Sequence, residues 1–188
     1  MDIYRELFLM QQAYGTLFSL ANKIQVKGDR FLELLTSRQY MAMVAIAHLP
    51  EDETTLNNIA RKLGTTKQSV KQLITIMANK GYVNVVPSRK DKRAINVKIT
   101  KTGKEVLLAV AEKGIFFLED LFKKLSTDEL ETMWALLKKL YSFDGEEHDG
   151  FEEVGNLQMD EDNMELQMRI LKEFEKRRMQ AINKGNKM

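Results

Sequence analysis

A short run of charged side chains between two apolar segments is the first candidate for chemistry in this sequence. It contains four cations and one anion in succession: Arg89, Lys90, Asp91, Lys92 and Arg93. Lysine and arginine side chains bind phosphate oxygens, and guanidinium groups also favour the minor groove of DNA, where negative potential is concentrated. The alternative is a solvated loop tip whose charges keep the neighbouring strand edges from aggregating.

A second set of polar side chains lies upstream, in the segment TTKQSVKQLITIMANKGY. Its apolar residues recur at the spacing of one helix face, at Val70, Leu73, Ile74 and Met77. The opposite face and the first turn predict contacts with DNA, because amides and hydroxyls match base edges in the major groove, whereas cations and helix N-terminal amides meet phosphate. The predicted contacts are Thr66, Lys67, Gln68, Ser69, Lys71 and Gln72. Thr65 and Gln68 fit a capping box at the start of this helix.

Strand patterns on both sides of the charged run make it the tip of a β-hairpin. In AINVKIT, Ile95, Val97 and Ile99 alternate with polar residues, which predicts a strand with one buried face. VNVV predicts a shorter strand that Pro87 closes. A short helix in TTLNNIARKLG, stopped by Gly64, precedes the polar helix. This order of elements predicts a winged helix-turn-helix, with the second helix in the major groove and the hairpin tip on the adjacent backbone or minor groove.

Longer helices flank this unit on both sides. Apolar residues of the N-terminal segment follow alternating spacings of four and three, which predicts a helix at 2–25 with one seam for a partner. An ordinary core helix is the alternative. A helix near 102–124 follows the hairpin, and Ser126 with Glu129 predicts the cap of a further helix. The residues predicted to form a dimer interface are Ile3, Leu7, Met10, Tyr14, Leu17, Leu130, Trp134 and Leu137.

Charge is segregated along the chain although the net charge is only +2. Residues 54–104 contain 12 Lys or Arg and a single acidic residue, Asp91. Residues 142–168 contain 10 Asp or Glu and no Lys or Arg. A basic module followed by an acidic linker predicts a polyanionic partner, and double-stranded DNA is the polyanion that suits a winged helix-turn-helix.

Composition argues against several other classes of function. With 44% hydrophobic residues the chain can form a core, and with no Cys it has neither disulfides nor thiol chemistry. No apolar run approaches the ~20 residues of a membrane span, and the N-terminus lacks a basic signal region, so we expect a cytoplasmic protein. His48 and His148 are the only histidines, and we expect both to titrate in solvent. No nucleophile–base pair, phosphate-binding loop or metal motif is present, so we predict no enzymatic activity, cofactor or metal.

Several of these segments resemble the MarR (multiple antibiotic resistance regulator) family of bacterial and archaeal transcription factors. The resemblance covers roughly residues 1–141 and is carried by LTSRQYMAMVAI, LNNIARKLGTTKQSVKQLITIMANKGYV and SRKDKRAINVKITKTGKEV. Its most specific parts are the pair Gln39–Tyr40, the Asn-x-x-Ala-x-x-x-Gly helix that ends at Gly64, and the Asp-x-Arg of the hairpin.

This resemblance implies a symmetric dimer on a palindromic operator, with repression as the expected effect. It also implies a crevice beside the N-terminal helix and the connecting stretch NKIQVKGDRFLE, for a small lipophilic anionic ligand that releases DNA. The local cations are Lys23, Lys27 and Arg30, for which solvated surface charge is the alternative. Ser88 and Ile76 stand where the family often has Asp and Arg, which leaves Asp91 to support the wing through its own neighbours.

The predicted fold is mainly α with a small β-hairpin wing, a winged helix-turn-helix flanked by N- and C-terminal dimerisation helices. Its parts are an N-terminal helix and connection (1–34), the winged module (35–101), C-terminal dimerisation helices (102–141) and a C-terminal extension (142–188). The extension begins as an acidic linker and predicts a helix at about 160–183. An apolar stripe should dock this helix on the dimer, through Met164, Met168, Leu171 and Phe174. A regulatory role, in which the linker competes for the basic face, is the alternative.

These features predict a sequence-specific DNA-binding regulator that acts as a homodimer. The alternative is a non-sequence-specific DNA-architectural or protein-interaction module on the same fold. The two differ in the specificity ratio, which is the affinity for the specific duplex divided by the affinity for a scrambled duplex. This ratio is large only for the sequence-specific regulator.

Overall fold

The computed structural model describes residues 2–88, 94–146, 150–151 and 161–185. Within them the chain forms α1 (Ile3–Leu32), α2 (Ser37–His48), α3 (Leu56–Lys62), α4 (Lys67–Asn79), β1 (Val83–Pro87), β2 (Ile95–Ile99), α5 (Lys101–Phe122), α6 (Thr127–Tyr141) and α7 (Glu161–Gly185). The predicted class, mainly α with one small antiparallel hairpin, is confirmed. None of the described helices is long and apolar enough to cross a membrane.

The first helix is longer than the sequence predicts. The expected helix at 2–25 continues to Leu32, through the stretch expected as a connection. Contacts with the start of α2 hold these additional turns. The Ser37 amide donates to Asp29 Oδ1 at 2.6 Å, and the Ser37 hydroxyl donates to the Gln25 carbonyl oxygen at 3.2 Å. The spacing of apolar residues carries no information about these tertiary hydrogen bonds. A prediction from that spacing therefore ends the helix too early.

The main core lies in the winged module, where α2, α3, α4 and the hairpin pack together. Its buried side chains include Ala42, Met43, Ile46, Ile59, Val70, Ile74, Met77, Val83 and Val97. Burying a Leu, Ile, Val or Met side chain completely contributes about 1.5–3 kcal/mol each. The module therefore has enough apolar contact to hold α4 and the hairpin at fixed positions.

The hairpin has the predicted position and one deviation from the predicted burial. β1 pairs antiparallel with β2, from Val83 opposite Ile99 to Pro87 opposite Ile95, and β1 ends at Pro87 as predicted. The single buried face predicted for β2 is wrong in part, because Ile95 is exposed while Asn96 is buried. The chain segment before α3 pairs with the second edge of β2, through an isolated bridge between Thr55 and Asn96, and periodicity within the strand does not reveal this tertiary contact.

Helix α5 connects the winged module to the remaining helices without a break. It begins directly after β2, where the Thr100 hydroxyl caps its first turn. Tyr40 of α2 packs against Gly114 of α5, where a Cβ would lie 2.9 Å from the phenolic oxygen. Burial raises the pKa of the Tyr40 phenol, so this contact between α2 and α5 stays uncharged. Helix α6 begins at the predicted capping box of Ser126 and Glu129, which is confirmed.

The helix expected near the C-terminus is present as α7 and packs along α5. Ile170 is its buried anchor, with 3% of its surface exposed. Arg178 donates to the carbonyl oxygens of Phe122 and Leu125 at 3.1 and 3.0 Å. The Phe122 carbonyl at the end of α5 also accepts from the Leu125 amide at 2.9 Å, and Arg178 adds positive charge at the negative end of the helix.

The docked face of α7 differs from the predicted stripe. Met168 and Leu171 are exposed, Phe174 is half-buried, and the side chain of Met164 lies outside the described residues. The helix is turned so that Ile170 faces α5 together with the arginines near its end. The charge-assisted hydrogen bonds of Arg178 to the end of α5 explain this orientation. The spacing of apolar residues does not reveal such bonds.

Candidate nucleic-acid interface

The predicted recognition helix, α4, begins at a different cap from the one predicted. Thr66 accepts a hydrogen bond from the Ser69 amide at 3.2 Å, and its hydroxyl donates to Ser69 Oγ at 3.0 Å. The expected capping box of Thr65 and Gln68 is therefore wrong, since Thr66 occupies the cap. Gln68 then belongs to the first turn and has no capping role.

The polar face of α4 is turned away from the core. Val70, Ile74 and Met77 are buried, which directs the opposite side of the helix outward. Ser69 is half-buried at the flank, as its position predicts. The other predicted contacts are exposed: Thr66, Lys67, Gln68, Lys71 and Gln72. The structure therefore presents amides and two cations together along the first half of α4.

The turn before α4 fixes its direction relative to α3. Gly64 has φ of 59°, a left-handed conformation that glycine adopts without strain. It follows the last turn of α3, which confirms the predicted stop. At the other end of α3, the Thr55 side chain accepts from the Asn58 amide at 3.2 Å, and Asn58 Nδ2 donates to the Glu53 carbonyl oxygen at 2.8 Å. Hydrogen bonds thus fix the start of α3, and a left-handed glycine ends it.

The hairpin tip lies outside the described residues. It includes every predicted wing contact and the predicted wing support: Arg89, Lys90, Asp91, Lys92 and Arg93. The base of the wing is described, and there the Ser88 amide donates to the Ala94 carbonyl oxygen at 3.0 Å. Ser88 itself is buried, whereas Ile76 on α4 is exposed. On β2, Lys98 forms an ion pair with Glu51, so the hairpin is also tied to the turn before α3.

Comparison with known proteins identifies this arrangement. Residues 35–94 match the sequence model of the MarR family, and the chain is 29% identical over 137 residues to the transcriptional activatory protein BadR of Rhodopseudomonas palustris. That alignment covers 70% of this chain and 78% of BadR.

Residues 35–94 of this chain match the MarR family.

Solved structures agree with this assignment. The S. aureus MepR–DNA complex is 28% identical with a TM-score of 0.60, and the match covers 69% of this chain and 96% of MepR. A MarR/EmrR family transcriptional regulator from Acinetobacter sp. ADP1 has the same fold, with a TM-score of 0.64 at 20% identity. That match covers 71% of this chain and 95% of the Acinetobacter protein. About 30% of this chain therefore has no counterpart in these two structures.

The residues predicted for dimerisation are largely exposed in the single chain. Leu130 is half-buried, and the others are between 37% and 76% exposed: Ile3, Leu7, Met10, Tyr14, Leu17, Trp134 and Leu137. Leu17, Trp134 and Leu137 line one groove of about 820 Å³ between α1 and α6. These apolar surfaces have no covering within the described chain.

The predicted ligand contacts lie on α1 and do not line that groove. Lys23, Lys27 and Arg30 are exposed, and none of them is among the residues that line it. Lys23 borders a shallow hollow together with Gln12 and Ser19. A ligand site at these cations therefore stays a prediction.

Sequence reasoning missed a cluster at the C-terminal end of α3. His48, expected in solvent, is half-buried: its Nδ1 lies 2.8 Å from the Val44 carbonyl oxygen, and its ring meets the ring of Phe151 edge-on at 5.6 Å. Lys62 Nζ lies 5.2 Å from the centroid of the same Phe151 ring. The sequence signal for this contact was Phe151, an aromatic residue with acidic residues on both sides. His148 lies outside the described residues, among which no group of His, Asp and Glu could hold a metal ion.

Proposed function

We propose that this MarR-family chain is a sequence-specific DNA-binding transcriptional regulator that acts as a homodimer on a palindromic operator. The exposed polar face of α4 carries the proposal. Gln68 and Gln72 present amides that can pair with base edges, and Lys67 and Lys71 present cations for phosphate. The similar MepR structure, which is a complex with DNA, supports this use of the fold.

The homodimer is supported by the apolar surface that the single chain leaves uncovered. Exposed apolar side chains follow the seam of α1 and one side of α6. Contiguous apolar patches of this kind mark interaction sites on soluble proteins, and a second copy of the chain can cover them symmetrically. A dimer also supplies the two winged modules that a palindrome requires.

Repression is the proposed effect, because a dimer bound across a promoter excludes polymerase. The relative BadR is named as an activatory protein, so the position of the operator relative to the promoter decides the sign of regulation. The proposal further includes release by a small lipophilic anionic ligand, no enzymatic activity, and a cytoplasmic location in a bacterium or archaeon, where the genome is accessible.

A non-sequence-specific DNA-architectural or protein-interaction module is the second candidate function. The basic residues 54–104 favour it, since their charge alone binds any duplex. The two candidates separate in a selection experiment. Repeated selection of random-sequence duplexes by the full chain should enrich a palindrome with half-site centres about 10 base pairs apart. Recovery of unrelated sequences without a shared motif would contradict sequence-specific regulation and favour the architectural module.

A further inference from the structure

The C-terminal end of α3 is contacted by the last residue of α6. Tyr141 donates its hydroxyl to the Arg61 carbonyl oxygen at 3.4 Å. A Cβ at Gly64 would lie 3.3 Å from the same phenolic oxygen. The phenol therefore rests on the turn that leads from α3 into the recognition helix.

A second aromatic residue, from the start of the C-terminal extension, binds the same end of α3. Phe151 is half-buried and packs against the core of the winged module. The rings of Phe151 and His48 meet edge-on with their centroids 5.6 Å apart, and Lys62 Nζ lies over the Phe151 ring, 5.2 Å from its centroid. Lys62 is only 7% exposed. Because Lys62 is shielded from water, its attraction to the face of the Phe151 ring is stronger than at an exposed site, so Phe151 serves as an anchor on the winged module.

Carboxylates lie between these two aromatic anchors. Asp144 and Glu146 are exposed in the single chain, and with Gly64 and Tyr141 they line the same groove between α1 and α6 that contains Leu17, Trp134 and Leu137. The Glu146 amide donates to Asp144 Oδ1 at 3.1 Å, which keeps the two residues close together. Gly64 precedes Lys67, the first residue of α4, by three positions, so the groove that contains these carboxylates reaches the turn leading into the recognition helix.

We propose that Tyr141, Asp144, Glu146 and Phe151 form an acidic dock that lowers the affinity of the winged module for DNA. The anchors hold the carboxylates at the turn, where they compete with DNA phosphates for the cations at the start of α4. Charges repel effectively within a Debye length, about 8 Å at physiological ionic strength and longer at low salt. The acidic dock therefore acts most strongly at low salt. The inference rests on the proposed binding of DNA.

The same extension offers a matched control for charge. Glu165 and Glu175 are exposed on α7, which packs on α5 through Ile170 and Arg178 and not on the turn before α4. Replacing both changes the net charge as much as replacing Asp144 and Glu146. Only the location of the charge differs between the two double variants.

The test measures the affinity of the full chain for a labelled random-sequence duplex at about 50 and 200 mM salt. D144N/E146Q should bind about threefold tighter than the wild type at low salt, and the gain should shrink at high salt. E165Q/E175Q should bind like the wild type. Phe151→Ala should shift affinity in the direction of D144N/E146Q, with thermal denaturation to verify its fold. If Phe151→Ala does not fold, the two double variants decide the question.

Other outcomes overturn the proposal in distinguishable ways. Equal gains in both double variants would mean that overall charge acts without a dock. Unchanged affinity of D144N/E146Q would reject the acidic dock and leave the proposed function intact, provided the wild type binds. Failure of the wild type to bind any duplex at low salt would reject the proposed function itself.

Discussion

At the residue scale, the amides of α4 and its cations have different expected roles. Gln72 is exposed on the polar face, where a bidentate contact with a base edge is possible. Replacing Gln72 by Ala should cost about 1–3 kcal/mol at one base-pair position and relax the preference there. Lys67→Gln should instead weaken binding to all duplexes alike. Binding titrations on duplexes with single base-pair changes measure both effects, and a uniform loss for Gln72→Ala would contradict base recognition.

The wing arginines give a second prediction at this scale. Arg89 and Arg93 lie in the cationic run of the hairpin tip, where backbone or minor-groove contact is expected. Neutralising either one, as Arg89→Gln or Arg93→Gln, should weaken operator and scrambled duplex together. The slope of log affinity against log salt should fall by about one unit for each lost phosphate contact. An unchanged slope would place the tip away from the DNA.

At the element scale, α1 carries the prediction of assembly. Leu7 and Leu17 are exposed members of its apolar seam. Replacing both by Glu should give monomers or unfolded chains, because each buried unpaired charge costs several kcal/mol. Operator binding should be lost with the dimer. Sedimentation velocity checks the mass, with Lys23→Glu at an exposed position of α1 as a charge control that keeps the wild-type mass. A folded wild-type monomer at micromolar concentration would refute the homodimer.

The elements also show how far sequence reasoning reaches. The periodicity of apolar residues and the positions of turn residues locate the helices, the hairpin and the exposed face of α4, because these features depend on local sequence spacing. Bonds between distant segments decide the details that sequence reasoning misses. Ser37 extends α1 by bonding to its last turns, and Arg178 orients α7 by bonding to the end of α5. The contact of Phe151 with His48 and Lys62 belongs to the same class, since its partners are far apart in sequence.

At the scale of the whole molecule, ligand control requires two arrangements of the winged modules. A ligand releases DNA only if it prefers the arrangement that does not fit the duplex. Shifting the population ratio of the two arrangements from 1:99 to 99:1 requires a difference of about 5.5 kcal/mol in the ligand's binding free energy. We predict that an aromatic acid such as salicylate lowers operator affinity in part and raises the melting temperature. Replacing Lys27 and Arg30 by Gln should remove both effects. Higher thermal stability with unchanged operator affinity would mean binding without a switch.

The central claim is that a homodimer recognises one DNA sequence, and one specificity ratio tests it most directly. The measurement is a pair of titrations of the wild-type chain at one fixed salt concentration, on the palindrome recovered by selection and on a scrambled duplex of equal length and composition. The account predicts that the palindrome binds at least about a thousandfold tighter, as specific regulators do. Equal affinity for the two duplexes would contradict it.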